Sequence, residues 1–599
     1  MSTFWPLLGF LRPYRRGVIA SALLACLAMG VGVAIPYLSG KGIGAIRQGA
    51  VHPTLRHHDL GRLQLIAALI AGVAVARWLL TVGRRLIGGR VSLGVEYDLR
   101  QLLFAHLQRL ELPFFEAEET GQLMSRLTVD LQAVRFFLGY GLVFILQSAV
   151  SILLAASAMF AIDPALAGAA LAPVPFVVLI ARRYGRLARP ALQEVQQRIA
   201  ELTAEAEQGI SGIRVVLAFA RERYQRKRFQ EKVGRVFDQA LKATRIEARY
   251  NPTVGFLPQL GMTAVLLWGG EQVVHAQLGL GSFSAFYFYL NMLISPMRTL
   301  GVTLGLGQRA TASGARIFQL LDREPRQHPP AQPRPLPPGG GEVRFEAVHL
   351  ALAREGIQWR ERGEEILHGI DLRIEAGSTF AIVGPSGAGK SSLLALIARL
   401  YDPTAGTVLL DGEPVDRLSL PELRAAVAYV TQEPFLFSAT VAENIAYARP
   451  QATEEEVRAA AATAQALSFI EALPEGFQTK VGERGLTLSG GQRQRLAIAR
   501  AILAQPRVLV LDDATSALDA TTERELLRAL RAERPAQTVV IVAQRPSAVG
   551  LADRVAVLEG GRLVAHGSAE EVAAKSRFYN ELIGSRQPRR RPAVAGEVA

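Results

Sequence analysis

Cysteine is almost absent, with one residue, Cys26, in a chain of 599. That excludes a disulfide-stapled scaffold, and its place in an apolar run predicts a buried small hydrophobe that carries no chemistry. Charge is scarce as well, at 20% of a chain that is half apolar, which excludes a disordered polyelectrolyte and, with the length, suggests several folded domains. What charge there is leans one way, to a formal +14. Such an excess raises nucleic acid as a partner, and the positions of the cations decide whether it is one. Between Asn251 and Met297 there is neither Lys nor Arg, whereas residues 182–249 hold 16 of them against 8 acids, including the cluster Arg221, Arg223, Arg226, Lys227 and Arg228.

An excess placed in this way follows membrane topology. Six apolar runs, near Val18 to Leu38, Leu65 to Val82, Gly141 to Ile162, Ala165 to Ala181, Thr253 to Val274 and Phe283 to Leu306, approach the roughly 20 helical residues that cross a hydrocarbon core. The positive-inside rule then puts both chain ends and the two long basic loops in the cytoplasm of a multi-pass inner (plasma) membrane protein. The cations answer to membrane lipid, and no nucleic acid is expected. Arg77 in the second run, and Pro296 and Arg298 in the sixth, should face protein, water or a helix end. The first run follows Arg15 and Arg16 without a small-residue cleavage site, so it is expected to stay in the mature chain.

The loops at 89–139 and 182–250 are too long and too helix-periodic for simple connections, and predict helices that continue past the bilayer. Leu112-Pro113-Phe114-Phe115 and the stretch from Gly212 through Phe219 interrupt them with apolar residues. On the residues alone, local packing and contact with another domain stay equally open. The row Phe283, Phe286, Tyr287, Phe288 and Tyr289 likewise fits a cavity wall or an interfacial belt.

From Asp322 to Gly341 the composition turns to Pro, Gln, Arg and Gly, the mark of a linker. It divides the chain into a membrane domain (1–321), the linker (322–341), a soluble domain (342–585) and a basic tail (586–599). Past the linker, short branched runs such as Thr379 to Val383 and Val508 to Leu511 alternate with helical segments, an α/β pattern. The first run opens into Gly384-Pro385-Ser386-Gly387-Ala388-Gly389-Lys390-Ser391-Ser392, which fits the P-loop template before an expected helix over Ser392 to Leu400. Its glycines let successive N–H groups turn toward phosphate oxygens and the helix start adds a positive dipole. Lys390 neutralises β/γ-phosphate charge, and the Ser391 hydroxyl ligates Mg²⁺. The second run ends in Asp512, a carboxylate for the Mg²⁺ water shell. Together they mean nucleotide hydrolysis or switching.

Leu488-Ser489-Gly490-Gly491-Gln492 resembles the signature of ATP-binding cassette (ABC) proteins, and the chain around it is similar to that family segment by segment. Gln432 after Val430-Thr431 resembles the Q-loop, Thr479 to Gly485 the loop before the signature in exporters, and Ser516-Ala517-Leu518-Asp519 the D-loop. The first half resembles the exporter-type membrane domain, including both apolar loop stretches. The resemblance implies a type I exporter-like all-α domain of six transmembrane helices, an α/β P-loop nucleotide-binding domain, coupling helices in the two loops, and ATP with Mg²⁺ held by Ser391, Gln432 and Asp512. It also implies that the signature covers ATP on the P-loop of a second subunit, so that a chain with one cassette works as a dimer.

Three positions depart from the family pattern. Asp513 stands where a Glu polarises the attacking water, one methylene short of the reach a base needs. Gln544 stands where a His switch is usual, and an amide carries neither proton nor charge. Leu352 stands where an aromatic stacks on adenine, with Trp359 in the following insertion either stacking instead or packing on its own loop. Asp513 and Gln544 are the catalytic candidates of a weak site. Its intact signature would complete the strong site of a homologous half-transporter, and the expectation is a heterodimeric exporter of an apolar or amphipathic drug, lipid or peptide. A homodimeric exporter, or an importer of metal chelates on the same fold, is the alternative.

Overall fold

The computed structural model describes residues 4–51, 56–328, 330–352, 364–482, 485 and 488–584. The helical part comprises α1 (Arg15–Val51), α2 (Arg56–Leu107), α3 (Leu112–Ala117), α4 (Leu142–Ile162), α5 (Val174–Ser211), α6 (Ile213–Ala218), α7 (Glu222–Ala264) and α8 (Leu280–Leu321), with shorter turns between them. Two compact units emerge: Met1–Ala105 with Met124–Arg323, and His106–Leu123 with Glu324–Ala599.

In the first unit all six apolar runs are helical, the fourth broken by a turn at Ala172-Pro173. Among the described residues, four segments are long and apolar enough to cross a membrane: Arg15–Arg47, Gly61–Leu107, Thr120–Ile162 and Pro164–Ser211; Leu280–Ile294 is a shorter apolar helix. The first four runs fall within those four segments, and the sixth lies within α8. The run at 253–274 is helical, but it contains Pro258 and Gln259, a π turn at Val265–Gly269, and Glu271. Close backbone approach knits α1 to α8: a Cβ on Gly40 would lie 2.3 Å from the Gly281 carbonyl oxygen. The Tyr289 hydroxyl donates to the Val33 carbonyl at 2.9 Å. Met159, Leu166, Val265 and Phe286 fill the core between α4, α7 and α8. The aromatic row divides, with Phe286 and Tyr289 buried and Tyr287 and Phe288 exposed, so it is neither wholly wall nor wholly belt. Arg77 faces protein, its guanidinium beside Gly32 of α1. Cys26 is half-buried rather than buried, because its stretch of α1 shows one side to the surroundings.

The second unit carries two sheets. One is antiparallel, in the order β2 (Glu364–Ile374), β1 (Val343–Leu352), β4 (Ala405–Leu410), β5 (Glu413–Pro414); the other has the order β10 (Arg562–Gly567), β9 (Arg554–Glu559), β3 (Thr379–Val383), β8 (Thr538–Val542), β7 (Val508–Leu511), β6 (Val427–Val430). From β9 to β6 every neighbouring pair in the second sheet is parallel. Strands β7 and β8 are buried throughout, as expected of a parallel sheet covered on both faces. Helices α9 (Lys390–Ile397), α10 (Gly490–Leu503) and α11 (Ala520–Glu533) accompany it. Strands β3 and β7 stand where the branched runs predict them. Helix α9 starts two residues before the expected Ser392, because Gly389 at φ +91° turns the chain straight into it. Residues 106–123 pack with this unit: Phe114 is buried, and the Tyr401 hydroxyl donates to Glu116 at 2.6 Å.

Candidate functional site

Strands β3, β6, β7 and β8 are parallel neighbours, so their carboxyl ends open on one edge, where α/β sheets bind ligands. The loop after β3 is shaped by backbone that demands glycine. Gly384 has φ +157°, and a Cβ there would lie 2.1 Å from the Leu558 carbonyl oxygen; at Gly389 it would meet Leu367 at 2.8 Å. Gly387, at φ +79°, has open space around it, Ala388 is buried, and Ser391 and Ser392 fall in the first turn of α9. The Lys390 ammonium donates to the carbonyls of Gly384 (2.8 Å) and Pro385 (2.7 Å), so it lies along the loop. Burial pushes it below the usual lysine range, against the opposing pull of Asp513 and Asp512.

Two buried carboxylates follow β7. Asp512 accepts from the Ser391 hydroxyl at 2.8 Å through one oxygen and from the Tyr429 hydroxyl at 2.7 Å through the other. The serine oxygen and this carboxylate form a pair of hard oxygen donors beside the P-loop, a set that fits Mg²⁺. Asp513 takes up φ +51°. One of its oxygens, Oδ2, accepts from Gln432 Nε2 at 3.0 Å and from Gln544 Nε2 at 3.1 Å. Burial raises the Asp513 carboxyl, the neighbouring Asp512 raises it further, and Lys390 and Arg545 work the other way. Two amides from β6 and β8 thus occupy one oxygen of the shorter acid, an arrangement that orients a carboxylate more than it frees a base.

The signature residues stand apart from this cluster. Ser489 caps α10 in a reciprocal box: its hydroxyl accepts from the Gln492 N–H at 3.3 Å, and its own N–H donates to Gln492 Oε1 at 2.8 Å. Leu488 is buried and Ser489 exposed. Gly490 and Gly491 pack on the Ser516–Asp519 loop so closely that a Cβ on Gly491 would lie 2.9 Å from the Ala517 carbonyl oxygen. Gln494, one turn into α10, donates to the Gln432 carbonyl (3.3 Å) and to Ser516 Oγ (3.2 Å) and accepts from the Ala517 N–H (3.0 Å). Arg545 donates to the carbonyls of Ser516 (2.7 Å) and Leu518. Asp519 caps α11. Among the described residues, no hydrogen bond joins Leu488–Gln492 to the P-loop.

The fold therefore brings together the P-loop, Gln432, Asp512, Asp513 and Gln544, and leaves the signature apart from them with Ser489 exposed. Sequence reading missed Tyr429, Gln494 and Arg545. The signal for Tyr429 is strand alternation, which sets Val427 and Tyr429 on the face of β6 toward α9. Trp359, the Leu352 side chain, Glu483, Arg484 and the basic tail lie outside the described residues.

The sequence profile described as ABC transporter transmembrane region matches residues 18–297, and that described as ABC transporter matches residues 367–516. An uncharacterized ABC transporter ATP-binding protein of Bacillus subtilis, YknU, is 34% identical over 97% of both chains. A multidrug efflux ATP-binding/permease protein of Mycobacterium bovis is 36% identical over 97% of this chain, which spans 47% of that longer protein. Among solved structures, a bacterial Atm1-family ABC exporter with ATP bound superposes with a TM-score of 0.80 at 28% identity, covering 96% of this chain and 99% of the other.

Proposed function

The chain belongs to the ABC transporter family, binding ATP and coupling its hydrolysis to transport, and from that premise we propose that it is the weakly hydrolysing half of a heterodimeric exporter. The observation that carries this reading is the pairing of both amides, Gln432 and Gln544, with one oxygen of Asp513, beside a signature whose capping box is complete. Each general acid or base lost costs typically 10² to 10⁴ in rate. A site made from this P-loop, Asp513 and Gln544 holds ATP and hydrolyses it slowly. Its signature, Ser489 and Gly491 foremost, serves the P-loop of a homologous partner whose own site has the full acid and switch.

Ser391, Gln432 and Asp512 would hold Mg²⁺, which when bound neutralises phosphate charge. Lys390 exchanges its loop carbonyls for β/γ-phosphate oxygens, and the turned N–H groups of Gly387 and Gly389 orient the phosphate chain. ATP gripped between two cassettes adds binding energy to the closed pair only, and that difference shifts the membrane helices from inward to outward opening. Two features favour a second chain. Helix α6 leaves Ile213, Val215 and Leu217 exposed with Phe219 just beyond it, which suits contact with a partner's cassette, and the mycobacterial relative is about twice as long as this chain. The membrane is the inner (plasma) membrane, with cassette and both termini cytoplasmic, and the substrate is an apolar or amphipathic drug, lipid or peptide, as the name of that multidrug relative suggests.

The test is ATP turnover by the purified chain alone and after co-expression with the product of an adjacent half-transporter gene. Slow turnover alone and a rise of about 10² or more with the partner is expected. Fast turnover by the self-paired chain, lost in Asp513→Ala, would establish a homodimeric exporter instead.

A further inference from the structure

Asp512 is held by two hydroxyls, one on each oxygen, and Ser391 is only one of them. The other, Tyr429, comes from β6, three residues before Gln432. Its hydroxyl lies 2.7 Å from Asp512 Oδ2 and 3.5 Å from the Ser391 carbonyl. Its ring packs on the apolar cluster that contains Tyr401. Tyr401, itself buried, turns its hydroxyl away to Glu116 at 2.6 Å, in the short helix α3 of the first cytoplasmic loop. The geometry fixes the direction of both bonds: each phenol donates to a carboxylate, Tyr429 to Asp512 and Tyr401 to Glu116.

We propose that Tyr429 is a positioning residue for the metal carboxylate, fixing Asp512 toward the P-loop, and that the Tyr401–Glu116 pair ties that fixture to the first cytoplasmic loop. A hydroxyl that ligates a metal gives its lone pair to the ion and keeps only its proton for Asp512. Tyr429 is then the restraint on the second oxygen, and a donor to a charged acceptor is among the stronger hydrogen bonds. Glu116 acts at a distance: while it accepts from Tyr401, that phenol stays packed beside Tyr429, and movement of α3 changes the packing and the field in which Tyr429 donates. This inference rests on the reading of the site as one for Mg²⁺ and ATP.

The experiment uses the full-length chain in lipid nanodiscs and a fluorescent N-methylanthraniloyl ATP, titrated in EDTA and then with Mg²⁺; Mn²⁺ binding in the presence of ATP is followed in parallel by electron paramagnetic resonance. Tyr429→Phe keeps the ring and its packing. It should leave metal-free nucleotide affinity unchanged and raise the Mg²⁺ and Mn²⁺ concentrations at half-saturation by about tenfold, the loss of one charge-assisted hydrogen bond. Glu116→Gln and Tyr401→Phe should shift the same midpoints in the same direction by a smaller factor, about threefold. Metal curves for Tyr429→Phe that overlay the wild type would overturn the positioning role, and unshifted curves for both Glu116→Gln and Tyr401→Phe would overturn the tie to the loop. Absence of nucleotide binding by the wild-type chain would instead overturn the functional reading beneath it.

Discussion

Asp513 shows how a single residue departs from its family and how its surroundings answer. Its backbone sits at φ +51°, a region that Asp tolerates better than most L residues. Its carboxyl is raised by burial and by Asp512. The folded protein therefore holds that proton to a higher pH than the unfolded chain, and this contribution to stability is lost as pH climbs from the ordinary aspartate range through the raised value. Asp513→Asn removes the loss. Its unfolding midpoint by intrinsic fluorescence should exceed the wild type by about 2 °C at pH 7, and the gap should close as pH is lowered toward 4; a lower midpoint at neutral pH would rule out burial as the cause. Asp513→Glu addresses catalysis instead. In the proposed two-chain complex a partner site that carries the flux would leave ATP turnover nearly unchanged, and a large gain would show that this chain's own site limits the cycle.

At the scale of elements, what was legible in the sequence is what is local. Strands β3 and β7 read as branched runs because both are buried on two faces, and the P-loop reads as a string because Gly384, Gly387 and Gly389 all sit at positive φ, a demand each residue meets in its own backbone. Contacts made across the fold were not legible. Gln432 and Gln544 reach Asp513 from 81 and 31 residues away, and only the strand order β8-β7-β6 brings them together. The antiparallel sheet was hidden for another reason: β1 is irregular in its pairing with β2, with register shifts around Val348 and Ala347 at φ +45°. In the membrane unit, hydropathy located the helices but could not assign their faces, so the aromatic row divided. Two substitutions probe how elements meet. Gly40→Val would force α1 from α8 at the Gly281 carbonyl and should lower the yield of folded protein on size-exclusion chromatography, by a destabilisation of about 1–3 kcal/mol. Ser489→Ala should cost α10 about 1 kcal/mol of cap. It should also lower turnover of the two-chain complex by far more than that loss of stability explains, whereas a merely structural cap would move stability alone.

For the whole molecule, the lasting feature is that the chain leaves its membrane unit at residue 106, returns by 124, and gives the intervening segment to the cassette unit. The Pro- and Gly-rich stretch at 322–341 is a boundary in composition, yet a gene fragment begun there would omit Phe114, buried with that unit, and Glu116, which accepts the Tyr401 hydrogen bond. Such a fragment should express as a stickier protein than the cassette within the whole chain, and adding a synthetic peptide of residues 106–123 should restore its monodispersity in light scattering. The engine of this transporter cannot be lifted out along the line its sequence draws, because one piece of its housing is spelled two hundred residues upstream.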